Sequence, residues 1–182
     1  MDSYHIKVVK TEDLSTLRDI AIKTFRQAFE LENTKQNFEK YLDASFNMAI
    51  LESQLANPNS RFYFLQKGEE VIGYLKINVE DAQTERKLKN ALEVERIYLL
   101  TTYRGQGVGN ILMDKAVKIA QELNKDVVWL GVWEDNPSSI KFYQKYGFRI
   151  FDKHHFMMAD EAQEDFLMKL ILADHSIKNK NE

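Results

Sequence analysis

The stretch "TTYRGQGVGNIL", Thr101 to Leu112, constrains this chain more than any other. It carries Gly105, Gly107 and Gly109, three of only seven glycines, directly after the strand-like run "ALEVERIYLL". After it, Val108, Ile111, Leu112, Ala116, Ile119, Ala120 and Leu123 recur at the spacing of one helix face. A strand that feeds a helix through clustered glycines implies a sheet with that helix packed across it. Glycine lets the backbone approach a ligand with no Cβ in the way. The free N–H groups and dipole of a helix start favour an anion there. Two phosphate motifs fail. A P-loop needs Lys and Ser/Thr after its last glycine, where this chain has Asn110 and Ile111. A dinucleotide fingerprint needs Gly or Ala where Asn110 stands, and Asp126, at about the distance of a ribose-binding acid, precedes its strand instead of ending one. What remains is Arg-x-x-Gly-x-Gly at a helix mouth, which reads as an anion cradle or as a tight strand–helix junction.

The rest of the chain supplies elements for one domain. Its 182 residues suffice for a sizeable core, and 44% hydrophobic content suits a soluble globular protein. There is no cysteine, which excludes disulfides, thiolate metal sites and cysteine nucleophiles and suits the cytoplasm. No apolar run is long enough for a signal peptide or a membrane span. A net charge of -3 without a basic run argues against nucleic acid as the main partner.

"HIKVV" alternates like a strand, and Leu14 to Phe29 carries a helical stripe with Thr11 or Asp13 as its N-cap. Helices are predicted over Lys35–Ala44 and Met48–Ala56. "RFYFLQ" and "EVIGYLKINV" form a hairpin, and the polar "EDAQTERKLKN" reads as a solvated connection. "LEVERIYLL" and "DVVWLGVW" are strands. "NPSSIKFYQKYGF" is a short helix with Asn136 as cap, Pro137 at its first position and Gly147 as stop. "HHFMM" and "DFLMKLIL" close the sheet, giving an α/β (α+β) domain over 1–172 with a polar tail at 173–182. His154 and His155 cannot easily share a metal, because neighbours on a strand point to opposite faces. No metal site is expected.

"NPSSIKFYQKYGF" matches the N-x-x-(A/S)-x-x-F-Y-x-x-x-G-F pattern of the GNAT acyltransferases, and "ERIYLLTTYRGQGVG" matches that family's strand and pyrophosphate loop. The chain therefore resembles the GNAT family. Within it, "IGYLKINVEDAQ", "LEVERIYL", "WLGVWE" and "HHFMM" look most like the PaiA-type polyamine acetyltransferases, which resemble spermidine/spermine N-acetyltransferases. Many members have proline before the loop, where this chain has "TTY".

The resemblance implies a mixed, mostly antiparallel sheet of about seven strands, splayed between the fourth and fifth, with acetyl-CoA as co-substrate. It places Ile97, Tyr98 and Leu99 along the pantetheine arm. Arg104, Gly105, Gln106, Gly107, Val108, Gly109 and Asn110 fall around the pyrophosphate. Leu130, Gly131 and Val132 line the gap, and Asn136 and Ser139 lie near the pantetheine. Lys141 or Lys145 meets the adenosine phosphates or, equally, forms a solvated helix face.

Tyr143 is the candidate acid for the departing thiolate, since a hydroxyl of high pKa can donate at neutral pH. An alkyl amine, with a pKa near 10.4, has on the order of one molecule in a thousand neutral at pH 7, so a base is needed. Glu93, at the place where members often carry a base, and Glu95 share a strand face; both read alternatively as surface charges. Phe25, Phe29, Trp133 and Glu134 suit a cationic acceptor, although Phe25 also falls on the core stripe. His155 is a possible second base. The expected function is N-acetylation of a small amine such as spermidine by direct attack. The alternatives are a peptide acceptor or a non-catalytic acyl-CoA sensor, with the chain a monomer or a homodimer.

Overall fold

The computed structural model describes residues 3–32, 34–158 and 161–172; the tail at 173–182 lies outside the described residues. Seven strands, β1 (Tyr4–Val8), β2 (Ser60–Lys67), β3 (Glu70–Val79), β4 (Ala91–Leu99), β5 (Val127–Trp133), β6 (Arg149–Met158) and β7 (Glu161–Ile171), form one sheet. Helices α1 (Leu14–Phe29), α2 (Lys35–Ser45) and α3 (Met48–Ala56) precede β2; α4 (Gly109–Glu122) and α5 (Pro137–Tyr146) flank β5. Among the described residues no helix is long and apolar enough to cross a membrane.

The strand order is β1-β2-β3-β4-β5-β7-β6, and every pairing is antiparallel except β4 with β5. The exception follows from α4, whose crossover returns the chain to run parallel to β4. The mostly antiparallel seven-stranded sheet flanked by helices is the architecture expected from the sequence.

The sheet is covered on both sides. Its front face carries Phe62, Phe64, Tyr74 and Leu100 against Leu17, Ile20, Ala21 and Phe25 of α1, Phe38 and Leu42 of α2 and Leu51 of α3. Its back face carries Leu65, Leu75, Ile77, Leu92, Val94 and Leu130 against Leu112, Met113, Ala116 and Ile119 of α4. The period-two alternation of β2 and β3 places apolar residues on both faces, so these strands read as nearly continuous apolar runs.

Two sequence expectations are corrected. Asp13 occupies the position before α1, but its carboxylate accepts from the Lys10 N–H at 3.0 Å and from Lys7 Nζ at 2.8 Å and leaves the helix uncapped. The connection between β3 and β4 is more than a solvated link. Thr84 bonds Glu93 through its N–H and its hydroxyl, and Gln83 Oε1 accepts from Trp129 Nε1 at 2.8 Å. Leu88 packs beside Ala91, Trp129 and Leu167. The segment's polar residues are used inward, as bonding partners for buried groups.

Candidate active site

β4 and β5 pair only where Ala91, Leu92 and Glu93 meet Val127, Val128 and Trp129. Beyond that point they part, although β4 runs on to Leu99 and β5 to Trp133. The facing edges of both strands then have no strand partner, and backbone groups so exposed call for one. Leu99, Leu130, Val132 and Tyr143 belong to one back-face cluster, with Ile97 packed against it, so Tyr143 sits among residues from both sides of the gap. Tyr98 points to the front, where its ring meets Phe25, Phe29 and Tyr74.

At the end of β4 lies the glycine turn. Gly105 and Gly107 take φ of 75° and 77°, the left-handed region that favours glycine. Gly109 differs: a Cβ there would stand 3.3 Å from the Phe142 ring, so its lack of a side chain serves the approach of α5 to α4. The room that the sequence attributes to Gly109 for a ligand is used for that packing. The N–H groups of Arg104, Asn110 and Ile111 bond within the turn, to Thr101, Gly107 and Val108. Among the described residues no acceptor takes the N–H groups of Gly105, Gln106, Gly107, Val108 or Gly109. Arg104 is exposed, and its Nε donates to the Leu99 carbonyl at 3.1 Å. The turn thus offers a run of free donors beside a cation, as an anion cradle requires.

α5 forms as its sequence dictates. Asn136 Oδ1 caps it by accepting from the Ser139 N–H at 3.1 Å, Pro137 occupies its first position, and Gly147 ends it at φ 114°. That cap engages the Asn136 oxygen and the Ser139 N–H. Lys141 and Lys145 are exposed. Tyr143 is 8% exposed, its ring between those of Phe142 and Phe148, and burial raises its hydroxyl pKa above the ordinary value.

The front of the gap holds the charged groups. A bulge opposite Lys76 and Ile77 makes Glu95 an extra residue, so that Glu93, Glu95, Arg96 and Tyr98 all serve the front. Neither glutamate is a surface charge. Glu93 is 2% exposed and accepts from Asn78 Nδ2 at 2.9 Å and the Thr84 N–H at 2.9 Å, besides the Thr84 hydroxyl. Burial pushes its pKa up, and the Thr84 and Asn78 bonds only partly oppose this. Glu95 accepts from the same Asn78 amide at 2.5 Å and pairs with Lys76 at 2.5 Å and Arg96 at 3.4 Å. Burial alone would raise its pKa too, but Arg96 and Lys76 outweigh it and hold the group below its ordinary range. Ser60 completes the network by donating to Asn78 Oδ1 at 2.8 Å.

Phe25 is core, ringed by Phe29, Phe38, Tyr41 and Phe46. Phe29 reaches the gap, meeting Tyr98 on one side and Trp133 on the other at 6.3 and 6.4 Å between centroids.

Glu134 and His155 do not join the group at the gap. Lys153 ties Glu134 to Glu164 on the back and stands over the Phe166 ring. His155 lies opposite Glu164 in register, exposed and on the Lys153 side of β6. The neighbouring His154 faces the front. Its Nδ1 bonds Glu85, and its Nε2 stands 3.7 Å from Asp165 Oδ2, beside Gly131. Sequence reasoning missed Glu85, Arg96, His154 and Asp165. The parity of strand positions separates His154 from His155 but does not say which one faces the gap.

Residues 16–148 match the model of the acetyltransferase (GNAT) family. An uncharacterised N-acetyltransferase of the pepI 3' region of Lactobacillus delbrueckii subsp. lactis is 39% identical over 172 residues, spanning 94% of this chain and 99% of that protein. The spermidine N(1)-acetyltransferase of Thermoplasma acidophilum is 23% identical over 154 residues, 82% of this chain and 91% of that one. The same fold is found in the crystal structure of PaiA N-acetyltransferase from T. acidophilum in complex with coenzyme A, at TM-score 0.77 and 22% identity over 93% of this chain and 99% of that one.

Proposed function

The chain belongs to the GNAT acetyltransferase family, and we propose that within it the protein moves the acetyl group of acetyl-CoA to a primary amine of a small cation, a polyamine such as spermidine being the preferred class. The family supplies the acetyltransferase chemistry. The observation that carries the acceptor is the front of the gap, where the four carboxylates of Glu85, Glu93, Glu95 and Asp165 outnumber the three cations Lys76, Lys87 and Arg96 beside the rings of Phe29, Tyr98 and Trp133. Carboxylates and aromatic faces both attract an alkylammonium chain. The likeness to a spermidine N(1)-acetyltransferase points the same way.

The free N–H groups of the glycine turn and Arg104 would hold the pyrophosphate of acetyl-CoA, and the unpaired edges of β4 and β5 would take its pantetheine amides. Both features suit a phosphorylated thioester with an extended, amide-bearing arm. Tyr143, its hydroxyl kept protonated by burial, gives a hydrogen bond or proton to the departing sulfur. Glu95 is the more open of the two glutamates and shapes the front electrostatically, while Glu93 braces it through Asn78.

The test is thiol release from acetyl-CoA with the purified chain and a panel of spermidine, spermine, monoamines and amine-terminal peptides. Spermidine or spermine should give the highest kcat/KM. Turnover of peptides alone would replace the polyamine with a protein acceptor, and no thiol release with any amine would leave an acyl-CoA-binding protein without turnover.

A further inference from the structure

An imidazole nitrogen and a carboxylate oxygen face one another at the gap without bonding. His154 Nε2 and Asp165 Oδ2 are 3.7 Å apart, beyond hydrogen-bond reach. Nε2 is buried and has no partner among the described residues. The other ring nitrogen, Nδ1, is held by Glu85. A carboxylate can only accept, so Nδ1 carries the hydrogen, and whenever the ring is neutral its lone pair lies on Nε2.

Gly131 keeps the adjoining space open. A Cβ there would stand 3.6 Å from Asp165 Oδ2 and 3.8 Å from His154 Nε2, filling the room beside both atoms. Gly131 lies on β5 just past Trp129, where the strands have parted. The two glutamates are poorer bases by comparison. Glu93 is closed in by Thr84 and Asn78, and Glu95 is neutralised by Lys76 and Arg96.

We propose that His154 takes the proton from the acceptor amine, with Glu85 fixing its tautomer and Asp165 holding the ammonium beside Nε2. This assignment rests on the acetyl-transfer reading and names the group that activates its acceptor. The bound R–NH3+ donates one N–H to Nε2 and another to Asp165. The first proton passes to Nε2, and the imidazolium is then held between the carboxylates of Glu85 and Asp165. The freed lone pair bonds the acetyl carbon, the C–S bond breaks, and its electron pair leaves on sulfur. Tyr143 protonates the sulfur and regains the proton that the nitrogen loses as the amide forms. His154 returns its proton to solvent.

The charged groups around the ring come from several elements. Glu85 in the connection is paired with Lys87 at 3.2 Å, and Lys87 in turn with Asp152 of β6 at 2.8 Å. Glu134 bears on Asp165 from the end of β5. Burial pushes Asp165 up to about 6, with His154 partly opposing.

The experiment measures kcat/KM for spermidine from pH 6 to 10 on the full chain and its His154→Gln, Asp165→Asn and Glu95→Gln variants. His154→Gln should lose about 100-fold at pH 7 and recover to within about threefold at pH 10, where much of the amine is already neutral. CoA affinity should be unchanged, and added imidazole should restore part of the rate to His154→Ala. Asp165→Asn should raise the amine KM at pH 7 about tenfold, as loss of one charged partner does. An equal loss at every pH would make His154 structural, and a pH-dependent loss in Glu95→Gln with normal His154→Gln would move the base to Glu95; either overturns the assignment. If the wild-type chain acetylates no amine, the acetyl-transfer reading fails on its own. The imidazole 15N resonances of His154 then decide: a shift with spermidine but not with sodium chloride of equal ionic strength keeps an amine site at His154, and no shift overturns it.

Discussion

The two sides of the parted strands are built by opposite means. Behind them, the glycine turn proposed as the anion cradle comes from one contiguous stretch, Leu99 to Ile111, and its free groups are backbone N–H donors set by two left-handed glycines. In front, Lys76 and Asn78 come from β3, Glu85 from the connection, Glu93, Glu95 and Arg96 from β4, His154 from β6 and Asp165 from β7. A site made of backbone depends on a local conformation. A site made of side chains depends on the whole sheet being in register. The back can therefore be damaged without the front, and the front is more easily lost with stability.

Tyr143, which packs with residues from both sides of the gap, should give the largest effect. Tyr143→Phe should lower kcat about 100- to 1,000-fold with CoA affinity within about twofold by calorimetry; collapse of CoA binding would make its role structural. Next is Asn78→Leu, which strips one bond from the buried Glu93 carboxylate and one from the half-buried Glu95 carboxylate. It should cost about 2–3 kcal/mol in urea unfolding and raise the amine KM, leaving CoA affinity intact. An unchanged denaturation midpoint would mean that the network adds nothing to stability.

Gly107→Val should act on the other side alone. Forcing a branched residue to φ 77° costs about 1–3 kcal/mol and should weaken CoA binding about tenfold, with the amine KM unmoved. A parallel rise in both constants would show that the two sides are not separable.

Smallest is the pH effect at Asp165. Its pKa is raised in the folded chain, from 3.8 to about 6. The folded state thus binds more protons than the unfolded one between those values. The resulting stabilisation is complete below pH 3.8 and is lost as pH rises through about 6. Asp165→Asn should flatten that decline, with a relative gain of about 1–2 kcal/mol at pH 7. Identical pH–stability curves for variant and wild type would contradict the raised pKa.

The same contrast explains what could be read from the sequence. The glycine turn and α5 are legible because spacing marks them, through Gly105 and Gly107, a capping Asn136, a first-turn Pro137 and a terminal Gly147, although the turn reads from spacing as a cradle or as a tight junction. The glutamates are legible as a pair but not as buried, since burial depends on Thr84 folding back from a segment whose composition reads as solvated. Arg96 is hidden by the bulge, because strict alternation from Glu93 would send it to the back face. The choice between His154 and His155 depends on the β6–β7 pairing, with its shift between Ile150 and Asp152, which no local pattern announces.

The parting of β4 and β5 has a consequence for traffic. On the proposed function the sheet acts as a partition with one slit, the thioester reaching it from behind and the amine from in front. Neither substrate crosses the path of the other on entry, and neither product does on exit. Loading can then proceed in either order, and spent coenzyme A should inhibit without competing against the amine. A protein arranged this way stays responsive to its acceptor even when the cofactor side is saturated.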